Sequence, residues 1–156
     1  MKQNEIQIVP FSEENKDFIK NLNYEWLEKY FSVEPSDEIQ LNNPTSEIID
    51  KGGYIFYAKV GTEIVGTVTL VKLDEHTFEL CKMAVTEDFQ GEGIGKKLMV
   101  FSIDLAKILG FKQIILFSNT KLESAIGLYK KYGFVEMAFD QSHYKRANIK
   151  MSKTIN

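Results

Sequence analysis

The 156 residues, 44% hydrophobic and 26% charged, have the composition of one ordinary globular domain, here predicted over 1–156. Because 19 basic residues face 22 acidic ones, the net charge of −3 gives no general attraction for nucleic acid. One cysteine excludes an internal disulfide, and no long apolar span or signal-like N-terminus is present. We therefore expect a cytoplasmic protein with neither a nucleic-acid nor a membrane partner.

The first third of the chain predicts a strand and three helices. Residues 5–9 alternate and stop at Pro10, which is typical of a strand. A helix ending near Phe31 should follow, with the apolar stripe Phe18, Leu22, Trp26 and Tyr30. Two short helices are expected to start at Pro35 and Pro44.

The middle of the chain predicts three antiparallel strands and a long helix. Residues 54–60 and 63–73 flank Gly61-Thr62, a hairpin signal, and 77–85 follow a polar turn. The helix, closed by Gly110, has the apolar spacing Ile94, Leu98, Phe101, Leu105 and Ile108.

The last elements complete an α/β fold with a mixed sheet. Residues 113–118 are almost continuously apolar, which predicts a strand covered on both faces and parallel to 77–85. A final helix should carry the stripe Leu122, Ala125, Ile126 and Tyr129. Residues 134–137 and 147–151 are expected to form the closing strands.

A glycine-rich turn joins strand 77–85 to the long helix, with glycines alternating over 91–95. Amides at a helix start are unpaired and carry partial positive charge, and glycine lets an anion approach them closely. Lys96 and Lys97 oppose the helix dipole, which a bound phosphate would explain. The alternative is a tight turn followed by solvated lysines.

Two common phosphate motifs do not fit this turn. A Walker loop needs glycine at position 90 and Ser or Thr at 97, where Gln90 and Lys97 stand. A dinucleotide fingerprint needs another glycine spacing and an acidic residue after the next strand, but 111–118 contain none. The remaining pattern is Gln-x-x-Gly-x-Gly, at Gln90, Gly93 and Gly95.

This pattern resembles the acyl-CoA pyrophosphate loop of the GNAT superfamily of N-acetyltransferases. Lys-Met-Ala-Val (82–85) and Leu-Tyr-Lys-Lys-Tyr-Gly-Phe (128–134) resemble family segments in the same order, so the likeness covers nearly the whole chain. It implies a GNAT-like fold, with a central, mixed, mostly antiparallel sheet. That sheet would splay between its fourth and fifth strands and be flanked by about four helices.

The resemblance implies that acetyl-CoA is the acyl donor and that no metal is needed. The pantetheine arm would bond to the backbone of Met83 and Val85, and the amides from Gln90 to Lys96 would hold the pyrophosphate. Asn119 would bond to the cofactor's amide arm, or alternatively form a turn. The full cofactor-binding set is Met83, Ala84, Val85, Gln90, Gly91, Glu92, Gly93, Ile94, Gly95, Lys96, Asn119 and Tyr129.

Three residues are the candidate catalytic groups. An alkyl amine is only about 0.04% neutral at pH 7, so a base is useful. Glu79 is the candidate base, on the same strand face as Met83 and Val85 by simple alternation; an exposed glutamate, with water as base, is the alternative. The resemblance implies that the backbone N–H of Val85 or of its neighbour would stabilise the oxyanion. It also implies that Tyr129, which matches the tyrosine of the family segment, would protonate the leaving thiolate; the alternative is a core tyrosine.

The acceptor side is less defined. Trp26, Tyr30 and Phe31 could be core residues or could wall the acceptor pocket. Tyr144 lies near Arg146, the only arginine, whose fork would suit a substrate carboxylate, with a surface salt bridge as the alternative. Cys81 is not expected to be a nucleophile. His76 and His143 fall in predicted turns without metal-ligand spacing.

Together these features predict an acetyl-CoA-dependent N-acetyltransferase. The acetyl group would pass to a primary amine of a small-molecule or amino-acid-like acceptor by direct attack in a ternary complex. The alternatives are a non-catalytic acyl-CoA-binding or sensing module, and an acetyltransferase of protein or peptide amines. The acyl-chain preference stays open, and so does the oligomeric state, with a homodimer among the alternatives.

Overall fold

The computed structural model describes residues 5–139 and 144–156, which form one seven-stranded sheet with helices on both faces. The strands are β1 (Ile6–Pro10), β2 (Tyr54–Val60), β3 (Glu63–Lys72), β4 (Thr77–Val85), β5 (Gln113–Ser118), β6 (Val135–Met137) and β7 (Ile149–Thr154). The helices are α1 (Asp17–Tyr30), α2 (Pro35–Asn42), α3 (Ile94–Ile108) and α4 (Glu123–Lys131). Short helical turns span Glu13–Asn15, Thr45–Ile49 and Glu87–Phe89.

The sheet is mixed and mostly antiparallel, as the sequence predicts, and its strands lie in the order β1-β2-β3-β4-β5-β7-β6. Among the strands in the described residues, the one parallel pairing joins β4 to β5 and covers only Thr77–Glu79 against Gln113–Ile115. Beyond these three pairs the two strands continue without pairing to each other. The predicted splay between the fourth and fifth strands is therefore confirmed.

A β-bulge interrupts β4 just before its end. Thr67 and Thr69 of β3 pair with Ala84 and Cys81, so β4 has one extra residue between these pairs. Lys82, inside the bulge, has a φ of +50°, which is rare for a residue with a side chain. The Nδ2 of Asn23, a buried residue of α1, donates to the Lys82 carbonyl at 3.3 Å, so the distorted backbone keeps a partner.

Two apolar clusters lie on opposite faces of the sheet. Phe56 of β2 packs with the cluster that contains the buried residues of α3, whereas Ile55 and Tyr57 belong to the cluster built on α1 and α2. Because alternate residues of a strand point to opposite faces, α3 covers one face and α1 and α2 cover the other. In the described ranges, no helix has the length and apolarity needed to cross a bilayer.

The predicted apolar stripes of α1 and α3 are wrong in part. In α1, Phe18 and Tyr30 are 40% and 44% exposed, whereas Ile19 and Leu27 are fully buried. In α3, Ile108 is 80% exposed. Helical spacing fits several overlapping sets of residues in each segment, and the sheet selects the set that it buries. The remaining buried apolar positions of these helices are Leu22, Ile94, Leu98, Met99, Ile103 and Ala106.

The prediction that β5 is covered on both faces is also only partly met. Ile114 and Leu116 are buried, but Ile115 and Phe117 are only half-buried. Phe117 lines an open cleft, because β4 has diverged from β5 at that point and leaves a gap in the sheet.

Candidate active site

A cleft of about 900 Å³ opens where β4 and β5 diverge. One wall is the end of β4 and the glycine-rich turn, and the other is the end of β5, the start of α4 and the segment 144–147. The end of α1 closes one side of it. Ligands of sheets with parallel strands bind outside the carboxyl ends of those strands, which is where this cleft lies.

The backbone of Val85 points into this gap. The Thr86 N–H donates to the Val65 carbonyl at 2.9 Å, which makes Val85 and Gly66 a non-hydrogen-bonded antiparallel pair. The N–H and C=O of Val85 therefore point away from β3, towards the side where β5 has already separated. The Gln90 side chain donates to that carbonyl at 2.9 Å, and the amide faces the open cleft.

The glycine-rich turn presents a run of free backbone donors. The first helical bond of α3 runs from the Lys97 N–H to the Gly93 carbonyl at 3.0 Å. Among the described residues, no partner exists for the amides of residues 91 to 96. Gly91 and Gly93 have φ values of +81° and +82°, and a Cβ at either position would meet nothing within 4 Å. An anion could therefore reach these amides.

The backbone amide of Gln90 does not have its predicted role as a donor to the pyrophosphate. This amide already donates to the Glu87 carbonyl at 3.2 Å, so it is not a free donor for a pyrophosphate. The Gln90 side chain bonds to the Val85 carbonyl and so ties the turn to the end of β4. We correct its role from anion donor to a residue that shapes the cleft.

A carboxylate of α1 also binds the residues that connect the end of β4 to the glycine-rich turn. The Glu25 side chain accepts hydrogen bonds from the Thr86 hydroxyl at 2.8 Å and from the Glu87 amide at 2.9 Å. It thereby fixes the residues that directly follow Val85. Nothing in the spacing of the sequence distinguishes Glu25 from the other acidic residues of this helix.

Tyr129 lines the cleft and also belongs to the buried apolar cluster below it. Its side chain lines the cleft, is 8% exposed and packs at 5.9 Å from the ring of Phe134. Burial, with a smaller effect from the nearby Cys81, raises its pKa to about 12. The hydroxyl therefore stays protonated at neutral pH and acts as a hydrogen-bond donor.

The side chain of Asn119 makes a turn, the alternative that the sequence left open. Its oxygen accepts from the Lys121 amide at 2.8 Å, and its nitrogen donates to the Arg146 carbonyl at 2.7 Å. The residue lines the cleft, but its side chain holds two protein segments together. A cofactor contact through this amide stays a prediction.

The predicted role of Arg146 as a site for a substrate carboxylate is wrong. Its guanidinium binds both oxygens of Asp37, at 2.7 and 2.9 Å, and approaches Glu34 at 3.4 Å. The bidentate fork is therefore already filled by a carboxylate of the protein. The side chain is only 12% exposed, so the interaction is not a surface salt bridge either.

Arg146 is one member of a buried polar cluster between α2 and the cleft, here called the Asp37 network. Lys82 donates to Asp37 at 2.6 Å and to the Tyr144 hydroxyl at 3.3 Å. Burial by itself would raise the pKa of Asp37, but hydrogen bonds from Arg146 and Lys82 lower it to about 2. The members are Glu34, Asp37, Glu79, Lys82, Tyr144 and Arg146.

The sequence analysis missed Glu34, Asp37 and Lys82. A lysine between Cys81 and Met83 in a largely apolar strand was the available signal, since a buried charge must find a partner. The partner itself lies 45 residues away, in a helix that spacing marks only as a helix start.

Glu79 is a buried member of this network. It is 2% exposed and lies behind the cleft surface, so the alternative of an exposed strand glutamate is wrong. Burial raises its pKa to about 7, against the opposing effects of the Lys82 charge and a hydrogen bond with Tyr144. A carboxyl group with this pKa is ionised about half the time at neutral pH.

The predicted shared face of Glu79, Met83 and Val85 is wrong. Glu79 interacts with Lys82, three residues along, which a regular strand would place on the opposite face. Met83 and Val85 instead pack with the cluster that contains Phe78 and Leu80. The bulge adds one residue and exchanges the two faces beyond it.

Aromatic side chains from the end of α1 form the remaining wall. Trp26, Tyr30 and Phe31 all line the cleft, and the rings of Trp26 and Phe31 meet edge to face at 6.2 Å. Lys121 lies 4.9 Å from the Phe31 ring centre. All three aromatic residues therefore contribute to the cleft wall, and Trp26 also packs against the core cluster built on α1 and α2.

The remaining reactive side chains do not suggest other chemistry. Burial raises the pKa of the Cys81 thiol to about 12, which disfavours the nucleophilic thiolate. His76 is exposed in the turn before β4, and His143 lies outside the described residues. Within 5–139 and 144–156, no three His, Cys, Asp or Glu residues are grouped to hold a metal ion.

Asp37→Asn should destabilise the protein by about 3–5 kcal/mol, because it removes the carboxylate that binds Lys82 at 2.6 Å and Arg146 at 2.7 and 2.9 Å, and leaves Arg146 with the longer contact to Glu34 at 3.4 Å. The ionised Asp37 contributes fully to the free energy of unfolding above its ordinary pKa of 3.8, and this contribution is lost as the pH falls towards 2. The difference in free energy of unfolding between wild type and variant should therefore become smaller below about pH 4.

Urea unfolding at several pH values measures this difference. Glu47→Gln, which breaks the exposed Lys51 pair, is the control and should cost about 1 kcal/mol or less; an equally small effect at Asp37 would contradict the prediction.

Comparison with known proteins agrees with this geometry. Residues 17–134 match the profile of the acetyltransferase (GNAT) family. An uncharacterized N-acetyltransferase of Bacillus subtilis, YvbK, is 30% identical over 132 residues, 80% of this chain and 85% of its own. A Staphylococcus aureus GNAT acetyltransferase superposes with a TM-score of 0.86 at 23% identity, covering 97% of this chain and all of its own.

One structural neighbour carries a ligand. A GNAT acetyltransferase from Elizabethkingia anophelis, solved with acetyl-CoA bound, has a TM-score of 0.73 and 24% identity, and the match covers 98% of this chain and 99% of its own. At that identity the likeness concerns the fold. The family match spans most of the chain, and this chain belongs to the GNAT family of acetyltransferases.

Proposed function

We propose that this acetyltransferase transfers the acetyl group of acetyl-CoA to a primary amine of a small-molecule or amino-acid-like acceptor, by direct attack in a ternary complex. The observation that supports this most is the cleft between β4 and β5, with the Val85 amide facing the gap and free amides at its mouth. The acetyl-CoA bound to the Elizabethkingia neighbour agrees with an acyl-CoA donor.

The donor would lie along the diverging strands. The amides of residues 91 to 96 and the positive end of the α3 dipole would hold the pyrophosphate, with Lys96 beside them. The pantetheine arm would continue along the backbone of Met83 and Val85, which β5 leaves unpaired there. These amides would contact the pyrophosphate, which every acyl-CoA contains, so they would not distinguish between acyl groups. That selection would take place deeper in the cleft.

The reaction needs one bond formed and one broken. The neutral amine attacks the thioester carbon, and the developing oxyanion accepts a hydrogen bond from the Val85 amide. The amine loses a proton to Glu79, whose raised pKa is near the working pH of a general base. The carbon–sulfur bond then breaks, and its electron pair leaves on sulfur, where the Tyr129 hydroxyl donates a hydrogen bond.

The walls of the cleft favour an acceptor with an apolar body. Trp26, Tyr30 and Phe31 present ring surface, and Arg146 is already paired. Of the described residues that line the cleft, Glu123 alone is acidic, and it lies at the start of α4. A second ammonium group would find little to bind, so a monoamine suits the site better than a polyamine.

Thiol release from acetyl-CoA with a panel of amines tests this function. We expect release to require an acceptor, with aromatic or aliphatic monoamines and amino-acid amines faster than polyamines. Mass spectrometry should find no acetylated protein without an acceptor, since attack is direct. Tight CoA binding without turnover on any amine would instead favour a sensing module.

Gly93→Val should abolish CoA binding in a folded protein, because the backbone leaves its φ of +82° and a side chain enters the space open to a phosphate. Gly110→Val is the matched control, because Gly110 has a φ of +79°, equally open surroundings and a place outside the cleft. Calorimetric titration with CoA measures both. Similar affinities for the two variants would contradict the loop assignment.

Glu79→Gln should lower the rate about 10²-fold or more near pH 7 and less in alkali, where the free amine is abundant. Since only ionised Glu79 accepts a proton, the wild-type rate should rise as the pH passes through about 7. The variant should lack that rise. An effect of equal size at every pH would remove Glu79 as the base.

A further inference from the structure

We propose that Tyr144 carries the proton of the acceptor amine from the cleft to Glu79, an inference that rests on the proposed function. Glu79 is 2% exposed and lies behind the surface of the cleft. Tyr144 lies between them, since it lines the cleft and shares a hydrogen bond with Glu79. A buried base needs such a connection to reach an amine at the thioester.

The hydroxyl of Tyr144 is held on several sides. Two cations lie near its ring, the Lys82 ammonium at 4.4 Å and the Arg146 guanidinium at 4.6 Å from the ring centre. Lys82 also donates to the hydroxyl oxygen at 3.3 Å, and Asp37 fixes Lys82 at 2.6 Å. These contacts keep the hydroxyl in one position, as a proton relay requires.

The backbone that carries Tyr144 is fixed as well. The Glu34 carboxylate accepts hydrogen bonds from the amides of Lys145 and Arg146, at 2.7 and 3.1 Å. The Arg146 side chain is held in turn by both oxygens of Asp37. The Asp37 network therefore serves the reaction by positioning Tyr144, and its other members need not touch the acceptor.

The transfer balances without any added reactant. As the amine nitrogen bonds to the thioester carbon, it gives one proton to the Tyr144 oxygen, and the tyrosine gives its own proton to Glu79. The two movements are concerted, because burial raises the pKa of Tyr144 well above its usual range and disfavours a free phenolate. Glu79 afterwards returns the proton to solvent by the same path.

The groups that face Glu79 set the protonation state that this relay needs. Lys82 and Tyr144 act on Glu79 directly, and both favour its ionised form. Cys81 lies near enough to interact with Glu79, and its thiol is neutral because burial raises its pKa. The more distant charges of Asp37 and Arg146 bind each other. Ionised Glu79 therefore lies beside the Lys82 charge and the Tyr144 hydroxyl, and both stabilise its negative charge.

Tyr144→Phe tests the relay, because it keeps the ring and removes only the hydroxyl. We expect kcat to fall about 10²-fold or more, with the CoA affinity unchanged and the rise of rate near pH 7 lost. The double variant with Glu79→Gln should be no slower than the slower single variant, since both act on one proton path. Tyr54→Phe, on β2 and remote from the cleft, is the control and should keep the wild-type rate.

Multiplicative losses in the double variant, or a preserved pH profile in Tyr144→Phe, would overturn the relay while leaving acetyl transfer intact. Failure of the wild type to turn over any amine would overturn the proposed function and the relay together. A titration of ¹³C-labelled glutamate by NMR tests the contact without an acceptor. The pKa of Glu79 should rise in Tyr144→Phe, because the lost hydrogen bond favours the ionised form, and no change would refute the contact.

Discussion

Only three residue pairs join β4 to β5, and the structure of the site depends on how soon that pairing stops. Had the ladder continued, the Val85 amide would have bonded to β5, and no groove would run between the strands. Because it stops, the backbone of Val85 stays available, and the glycine-rich turn opens at the mouth of the same gap. Gln90 and Glu25 hold this junction by binding the residues at the end of β4.

The two walls of the cleft are stabilised by different means. The glycine-rich turn presents its backbone to the cleft, so it needs a conformation rather than particular side chains, and glycines at positive φ provide it. The Asp37 network beside the cleft contains buried charges, and desolvating them is costly. The close contacts of Asp37 with Arg146 and Lys82 offset that cost and fix Tyr144 in place. Loss of one charge in this network should therefore affect folding and catalysis together.

Much of the fold could be predicted because local signals suffice for it. Gly61-Thr62 fixes the β2–β3 hairpin, and the strand–helix crossover makes β5 parallel to β4. Helical spacing located α1 and α3 but not their buried faces, since Ile108 fits the period and is solvent-exposed. The partners of Arg146 and Lys82 could not be predicted, because a charge pairs with whatever the fold brings near it. The sequence motif predicts that the Gln90 amide binds the pyrophosphate, but this amide donates to the Glu87 carbonyl within the turn, and a motif does not show such a local bond.

The β4 bulge determines which side of the strand each proposed catalytic group of β4 faces. In a regular strand, Glu79 and Val85 would share a face, and Lys82 would lie on the other. The extra residue instead turns Lys82 towards Glu79 and the Asp37 network, while Met83 and Val85 pack with the cluster that contains the α3 core residues. The carboxyl group is thereby buried beside a cation and a hydroxyl, and the Val85 amide still faces the gap. A single inserted residue, supported by Asn23 at the Lys82 carbonyl, would thereby separate the proposed proton path from the proposed oxyanion donor.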